Sequence, residues 1–489
     1  MRRFLRRLFR WTTTALVVLL GILTINAIRF HSRQIAVSPL PDVPLAEGAF
    51  DRLSEAVQIP TVSRRSGIDS SAFQRLDSFL MSAFPLAQRE LERTRLAGYS
   101  LLYRWPGRNN KLNPILLLAH LDVVPVETSS AAQWTHPPFS GLLADDHVWG
   151  RGTLDDKMSA LGMLEAVEML LRDGYYPERT VYLAFGHDEE LDGTGAQSIA
   201  AHLQGRGEQI EYILDEGLLV LENALPGLDP PVALVGIAEK GYASLKLTLE
   251  LQEGGHSMMP PERSAIGDLS EALLRLQEQP FPGALEGVLD QFFDYIGPEM
   301  GLFSRIAIAN RWLTAPLLVR RFSDDPATNA LVRTTAAPTM IDAGVADNVL
   351  PVSAEATVNL RIRPGETVES AVAYVKQIID DDRIRVEVIR SGAVSDPSPV
   401  TSTETFGFRV VEKTIRERFP TAIVAPSLVI GRTDSRHYEA LQAPTYRFTP
   451  IQVQRADLSR FHGLDERISL ENYRRLIRFY HQLIKNSCK

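Results

Sequence analysis

Three apolar runs of strand length, each followed at once by histidine or carboxylate side chains, constrain this chain more than any other feature. They are Pro114-Ile-Leu-Leu-Leu-Ala-His120, Thr180-Val-Tyr-Leu-Ala-Phe-Gly186 and Glu211-Tyr-Ile-Leu214. A run that is apolar at every position, rather than at every second one, reads as a strand covered on both faces. Between the first two, Met158 to Leu171 carries apolar residues at helical spacing. Strand, helix, strand in that order predicts a doubly wound α/β unit with a mostly parallel sheet. Open sheets of this kind place ligands beyond the carboxyl ends of their strands. His120, Glu189, Glu190 and Asp215 all fall there.

From about Ala238 the pattern changes to alternation, as in Ala243-Ser-Leu-Lys-Leu-Thr-Leu-Glu250 and Glu355-Ala-Thr-Val-Asn-Leu-Arg-Ile362. Half-covered antiparallel strands alternate in this way. Helical spacing recurs from Ala265 to Leu276 and from Val368 to Ile379, so an α+β unit is expected inside the first. The α/β pattern resumes past Ser395-Asp-Pro-Ser-Pro399. The expected organisation is residues 1–43 as N-terminal anchor and linker, 44–237 as the first part of the α/β domain, 238–396 as the inserted α+β domain and 397–489 as the second part of the α/β domain. The aromatic stretch Phe281 to Leu318 is assigned to the inserted domain.

Five arginines in the first ten residues precede an apolar stretch from Trp11 to Ile28. That length is close to what crosses a hydrocarbon core of about 30 Å, and the arginine excess holds the N-terminus in the cytoplasm. A single-pass transmembrane signal anchor is expected, with the rest of the chain on the exoplasmic or periplasmic side. Secretion after cleavage near Ile25-Asn26-Ala27 is the alternative. Pro39, Pro41 and Pro44 mark a linker beyond it. The net charge is -8 with no basic run past the N-terminus, which excludes nucleic acid as a partner. Cys488 is the only cysteine, so neither an intramolecular disulfide nor a thiolate metal site can form.

The polar residues after the strands have the type and number that a pair of divalent cations requires: histidines, terminal carboxylates and one carboxylate to bridge. In His120-Leu-Asp122 both side chains lie on one side of an extended chain, so His120 is read as a ligand and Asp122 as the group that orients it. Asp155 and Asp156 are adjacent acids that repel unless a cation intervenes. Asp155 is read as the bridge, with a helix cap as the other reading of the pair. Glu190 is read as a ligand and Glu189 as a general base. Asp215 is the terminal carboxylate of one site, and His462 closes the other. Neither a Gly-x-Ser-x-Gly elbow nor a His-Glu-x-x-His pair occurs.

These residues, with Gly150-Arg-Gly-Thr-Leu-Asp-Asp-Lys157, Gly186-His-Asp-Glu-Glu190 and Gly254-Gly-His256, resemble the aminoacylase, carboxypeptidase G and carboxypeptidase S family of cocatalytic zinc metallopeptidases, over residues 45 to 485. The resemblance implies two zinc ions, one held by His120, Asp155 and Asp215, the other by Asp155, Glu190 and His462. It also implies that the inserted domain is a lid of the kind that forms homodimers, that His256 meets the substrate carbonyl, and that the Asp155–Asp156 peptide is cis. Asn348, Arg361 and Thr433 would bind substrate. Within the family, Thr328-Asn-Ala-Leu-Val-Arg-Thr-Thr335 and the aromatic insertion are similar to the branch that makes and cleaves fatty-acyl amino acids. The implied reaction is hydrolysis, and reversible formation, of the amide bond of N-acyl amino acids, with the acyl chain against Phe281 to Leu318. A carboxypeptidase or dipeptidase acting on short peptides is the alternative, and a catalytically silent, membrane-tethered binding protein is a third.

Overall fold

The computed structural model describes residues 1–390 and 394–489. Its centre is a ten-stranded sheet. Four neighbouring strands run parallel in the order Thr445–Arg447, Tyr212–Asp215, Ile115–His120 and Val181–Gly186. The continuous apolar runs are explained by what covers them. Ile115, Leu117 and Ala119 face one core with helices Lys157–Arg172 and Leu470–Ser487, while Leu116 and Leu118 face a second core with helix Thr194–Gly205. Alternate side chains of one strand therefore enter different cores, and neither face tolerates a polar residue.

The sheet is mixed rather than mostly parallel. Val181–Gly186 pairs antiparallel with Ser100–Trp105, which forms a hairpin with Glu92–Leu96. Val232–Glu239 pairs antiparallel with Val220–Leu221 and parallel with Ile423–Val429. Ala97 and Gly98 both take positive φ, which closes the edge hairpin in a turn too short for a parallel crossover.

The alternating segments form a separate antiparallel sheet in the order Thr335–Ala343, Ser353–Ile362, Gly241–Glu250, Ile384–Val388. Helices Ala265–Glu278 and Val368–Ile379 cover one of its faces and share its core. The aromatic stretch departs from expectation. Val288, Phe292, Phe293, Tyr295 and Ile296 are buried in the core of the large sheet, and Tyr295 meets Phe408 with ring centroids 6.0 Å apart. Sequence adjacency to the alternating strands was a poor guide, because helix Val288–Ile296 finds its apolar partner on strand Ile423–Val429. At the N-terminus a single helix runs from Arg2 to Arg29, exposed along nearly all its length.

Candidate metal centre

The site sits where the parallel strands end. His120 is the last residue of its strand and is buried, with Nε2 2.8 Å from Oδ1 of Asp155. The other oxygen of Asp155 lies 2.9 Å from Nε2 of His462, which also reaches Oε1 of Glu190 at 3.0 Å. One carboxylate thus presents its two oxygens to two imidazoles. Oε1 of Glu216 stands 3.4 Å from His120 Nε2. Ligand atoms of His120, Asp155 and Glu190, and likewise of His120, Glu189 and Glu216, lie within 4.8 Å of one another.

Buried groups hold this arrangement in place. The carboxylate of Asp122 accepts the backbone N–H groups of Glu189 and Glu190 at 3.1 and 3.2 Å, and one of its oxygens lies 3.4 Å from His120 Nδ1. A single acid thereby sets both the imidazole and the loop that carries two further acids. Glu466 is buried and accepts from Gly152 N, Leu154 N and the Arg151 guanidinium, at 2.9, 2.8 and 2.5 Å, which fixes the approach to Asp155. The Asp155–Asp156 peptide is cis. Immediately beyond it, the buried Lys157 donates to the carbonyls of Ala56 and Ile59.

Charge is concentrated to a degree that the protein alone does not balance. Burial pushes Glu189 up to about 8, against the pull of His120 and with the repulsion of Glu190. Burial likewise raises Glu190, Asp215 and Glu216. Burial opposes charge on His120, but Glu216, Asp122 and Asp155 outweigh it and hold the imidazole well above its usual value. His462 is pushed up to about 10 by its hydrogen bonds to Asp155 and Glu190. Carboxylates driven toward protonation beside histidines driven toward charge are relieved together when cations enter. The donors are imidazole nitrogens and carboxylate oxygens, the set zinc takes.

The Asp215 carboxylate accepts Glu216 N at 2.9 Å and Ser435 N at 2.7 Å, which ties the strand end to the 433–435 loop, and the next residue, Glu216, also faces His120. Not every predicted residue joins the cluster. Thr433 directs its hydroxyl at Glu239, 2.8 Å away, and at Ser435, rather than into open space. His256 is exposed on Gly255–His256, which pairs with Val349–Leu350, Asn348 is exposed in the turn just before that partner, and among the described residues neither bonds to the cluster. Arg361 lies over the Tyr242 ring, 4.8 Å from its centroid, and Arg432 is 4.6 Å from the same centroid.

The loop that carries Thr433 brings further charged residues to the site. Arg436 comes within 3.6 Å of Glu189. Arg432 and Arg436, with Lys240 and His437, line a cavity of about 350 Å³. Asp434 is buried with neither oxygen hydrogen-bonded among the described residues, and burial together with Glu189 and Asp215 raises it well above the usual range. A Cβ at Gly186 would come within 2.3 Å of Asp434 Oδ2, so only glycine lets this acid pass the strand end. The run Gly431-Arg-Thr-Asp-Ser-Arg436 contained the signal, but no spacing rule connects it to residue 189.

Parallel strands ending in a buried cluster of histidine and carboxylate groups define a metal-dependent hydrolase. The chain belongs to peptidase family M20/M25/M40, whose profile matches residues 116–486. It is 40% identical over 492 residues to the probable carboxypeptidase S-like 2 of Dictyostelium discoideum, covering 97% of this chain and 93% of that one. It is 41% identical over 448 residues to the N-fatty-acyl-amino acid synthase/hydrolase PM20D1.1 of Danio rerio, covering 90% and 86%. In fold it is similar to the M20 family metallo-carboxypeptidase Sso-CP2 from Sulfolobus solfataricus, with a TM-score of 0.66 at 16% identity, covering 90% of this chain and 99% of that one.

Proposed function

We propose that this enzyme hydrolyses, and in reverse forms, the amide bond between a long-chain fatty acid and an amino acid, using two zinc ions. The observation that carries the reading is the Asp155 carboxylate, whose oxygens lie 2.8 and 2.9 Å from His120 and His462. A bridge of this kind suits two cations about 3.5–4 Å apart. His120, Asp155 and Asp215 would hold one ion, with Glu216 beside His120, and Asp155, Glu190 and His462 the other. Bound zinc supplies a Lewis acid for the amide carbonyl and acidifies the attacking water.

The chain's own groups do the rest. Glu189, held beside Arg436, takes the proton of the attacking water and returns it to the leaving amine. Asp122 keeps His120 and the 189–190 loop in register. Arg361 takes the free carboxylate of the amino acid, with Arg432 across the same aromatic ring adding positive charge. Residues 238–396 act as a lid, bringing His256 and Asn348 to the substrate carbonyl on closure. Its strand Thr335–Ala343 is a sheet edge with Met340 and Ile341 exposed, which favours pairing with a second copy. Helix Arg2–Arg29 is the single membrane span, with the enzyme on the exoplasmic or periplasmic face.

The relatives named above favour two substrates, fatty-acyl amino acids and short peptides. A panel of N-oleoyl amino acids, N-acetyl amino acids and dipeptides separates them. Each methylene buried contributes about 0.8 kcal/mol, so the oleoyl substrates should exceed the acetyl ones in kcat/KM by several orders of magnitude. Equal efficiency on oleoyl and acetyl substrates removes the lipid reading, and preference for dipeptides replaces it with the carboxypeptidase one. The buried rings of Phe292, Phe293 and Tyr295 belong to the core and are not available to line the acyl site.

A further inference from the structure

The outer end of the N-terminal helix is bonded to the main body, and all but one of the bonds fall inside its apolar stretch. Asn26 Nδ2 donates to Asn310 Oδ1 at 2.8 Å, and Asn310 Nδ2 donates to the carbonyl of Leu23 at 3.1 Å. Arg305 donates from Nε to Ala27 O and from Nη2 to Phe30 O, at 2.9 and 2.6 Å. Arg305 and Asn310 belong to helix Leu302–Ala309 and to the joint before helix Arg311–Ser323. The carbonyls at a helix C-terminus have no partner within the helix, and lipid supplies none. Here the protein supplies them.

Helix Arg311–Ser323 has two unlike faces. Ala315, Leu318, Val319 and Phe322 pack on the main core. The opposite face, at helical spacing, exposes Trp312, Leu313, Pro316 and Leu317 and then Arg320 and Arg321. Leu302 and Phe303 of the preceding helix are also exposed, Phe303 to 87%. A surface helix ordinarily turns polar residues outward. This one turns outward a tryptophan, leucines and a terminal pair of arginines, the composition of a helix lying in a bilayer interface.

We propose that helices Leu302–Ala309 and Arg311–Ser323 lie in the outer interface of the lipid bilayer, as a second membrane contact beside the N-terminal helix. The inference rests on the reading of Arg2–Arg29 as a membrane span, and depth is what connects the two. At 1.5 Å per residue, Trp11 to Ile28 covers about 27 Å, so Leu23 to Ala27 lie within about 8 Å of the outer end. Side chains bonded to Leu23, Asn26 and Ala27 must reach that depth. Interfacial helices sit about 5–10 Å into the boundary, with tryptophan at the headgroup level and arginine beside anionic lipid. Asn26 would be costly in hydrocarbon alone, and its bond to the buried Asn310 removes that penalty. Amphiphilic substrate held in the same leaflet would meet the enzyme without crossing bulk water.

The test uses the full-length chain in vesicles of phosphatidylcholine with phosphatidylglycerol as the minor component. Cys488 is buried, so nitroxides can be placed on Leu313→Cys and Leu317→Cys, with Val18→Cys in the N-terminal helix and Leu274→Cys on the exposed face of helix Ala265–Glu278 as references. Collision with dissolved oxygen is compared with collision with a water-soluble nickel chelate. The expected result is an oxygen-to-nickel ratio at positions 313 and 317 severalfold above that at 274. Ratios at 313 and 317 equal to that at 274, with 18 immersed, overturn this inference and leave the span intact. If position 18 is also in water, the span itself fails and takes the inference with it. Shielding of 313 and 317 from both reagents, with spin–spin broadening that disappears on dilution with unlabelled protein, assigns the stripe to a second copy and overturns the bilayer contact.

Discussion

The carboxylate of Glu216 stands 3.4 Å from Nε2 of His120, while that of Asp215, one residue earlier, is turned to the backbone of Glu216 and Ser435. Neighbouring acids at one strand end therefore have different duties. Glu216→Gln should lower metal affinity by about 10–100-fold with the fold retained. Asp215→Asn should lower it at least as far and also loosen the 433–435 loop. Metal content after dialysis against graded chelator, with thermal unfolding of each variant, reads both effects. Metal retained in full by Asp215→Asn would remove Asp215 from the ligand set.

Glu189 offers the clearest separation of chemistry from binding. Glu189→Gln keeps the size of the side chain and its place beside Arg436 but cannot accept a proton. The expected outcome is a fall of about 10²–10⁴ in kcat with little change in KM or bound zinc. A variant that loses zinc instead would make Glu189 a ligand.

Arg361 and Arg432 flank Tyr242, and a substrate carboxylate is the ligand that two guanidinium groups would hold. Arg361→Ala should raise KM for N-acyl amino acids by about 10–100-fold, the loss of one charge-assisted pair. The same variant should handle an N-acyl amino acid amide, which lacks the carboxylate, about as well as the parent does. Equal losses on both substrates would mean a strand-face role only.

Glu412 provides a pH-dependent test away from the metal centre. It is buried on helix Phe406–Arg418, and burial pushes it up to about 7, against the pull of Arg416 and with the repulsion of Glu404. A carboxyl whose folded pKa is raised binds its proton more tightly in the folded state. Its contribution is fully present below about 4.5 and is lost as pH rises through about 7. Glu412→Gln should therefore match the parent near pH 4.5 and exceed it by about 3 kcal/mol at pH 8. Chemical denaturation at the two pH values measures the difference, and a constant offset would contradict the assignment.

Arg151 and Glu466 form a buried pair at 2.5 Å beside the turn that leads into Asp155. Arg151→Met leaves the buried Glu466 carboxyl without its partner and should cost about 3–5 kcal/mol. Zinc retention should fall in parallel, because Glu466 also anchors Gly152 and Leu154. Unchanged metal binding in a destabilised variant would detach this pair from the site.

Sequence by itself determined which segments are strands covered on both faces, which alternate, and which acids and histidines follow them. Those are local properties: hydrophobic period and position relative to a run's end are written in consecutive residues, as in Ile115–His120 and Ser353–Ile362. Tertiary structure alone decided which of two adjacent carboxylates, Asp215 or Glu216, turns to His120, and that Arg436 and Asp434 come to Glu189. It also decided that Ser100–Trp105 runs antiparallel to the central strands, and that the aromatic helices leave the alternating strands for the larger core. The reason is that these outcomes depend on partners hundreds of residues away. A side chain's direction at a strand end is set by what it meets, and Ser435 meets Asp215 only after the sheet has closed.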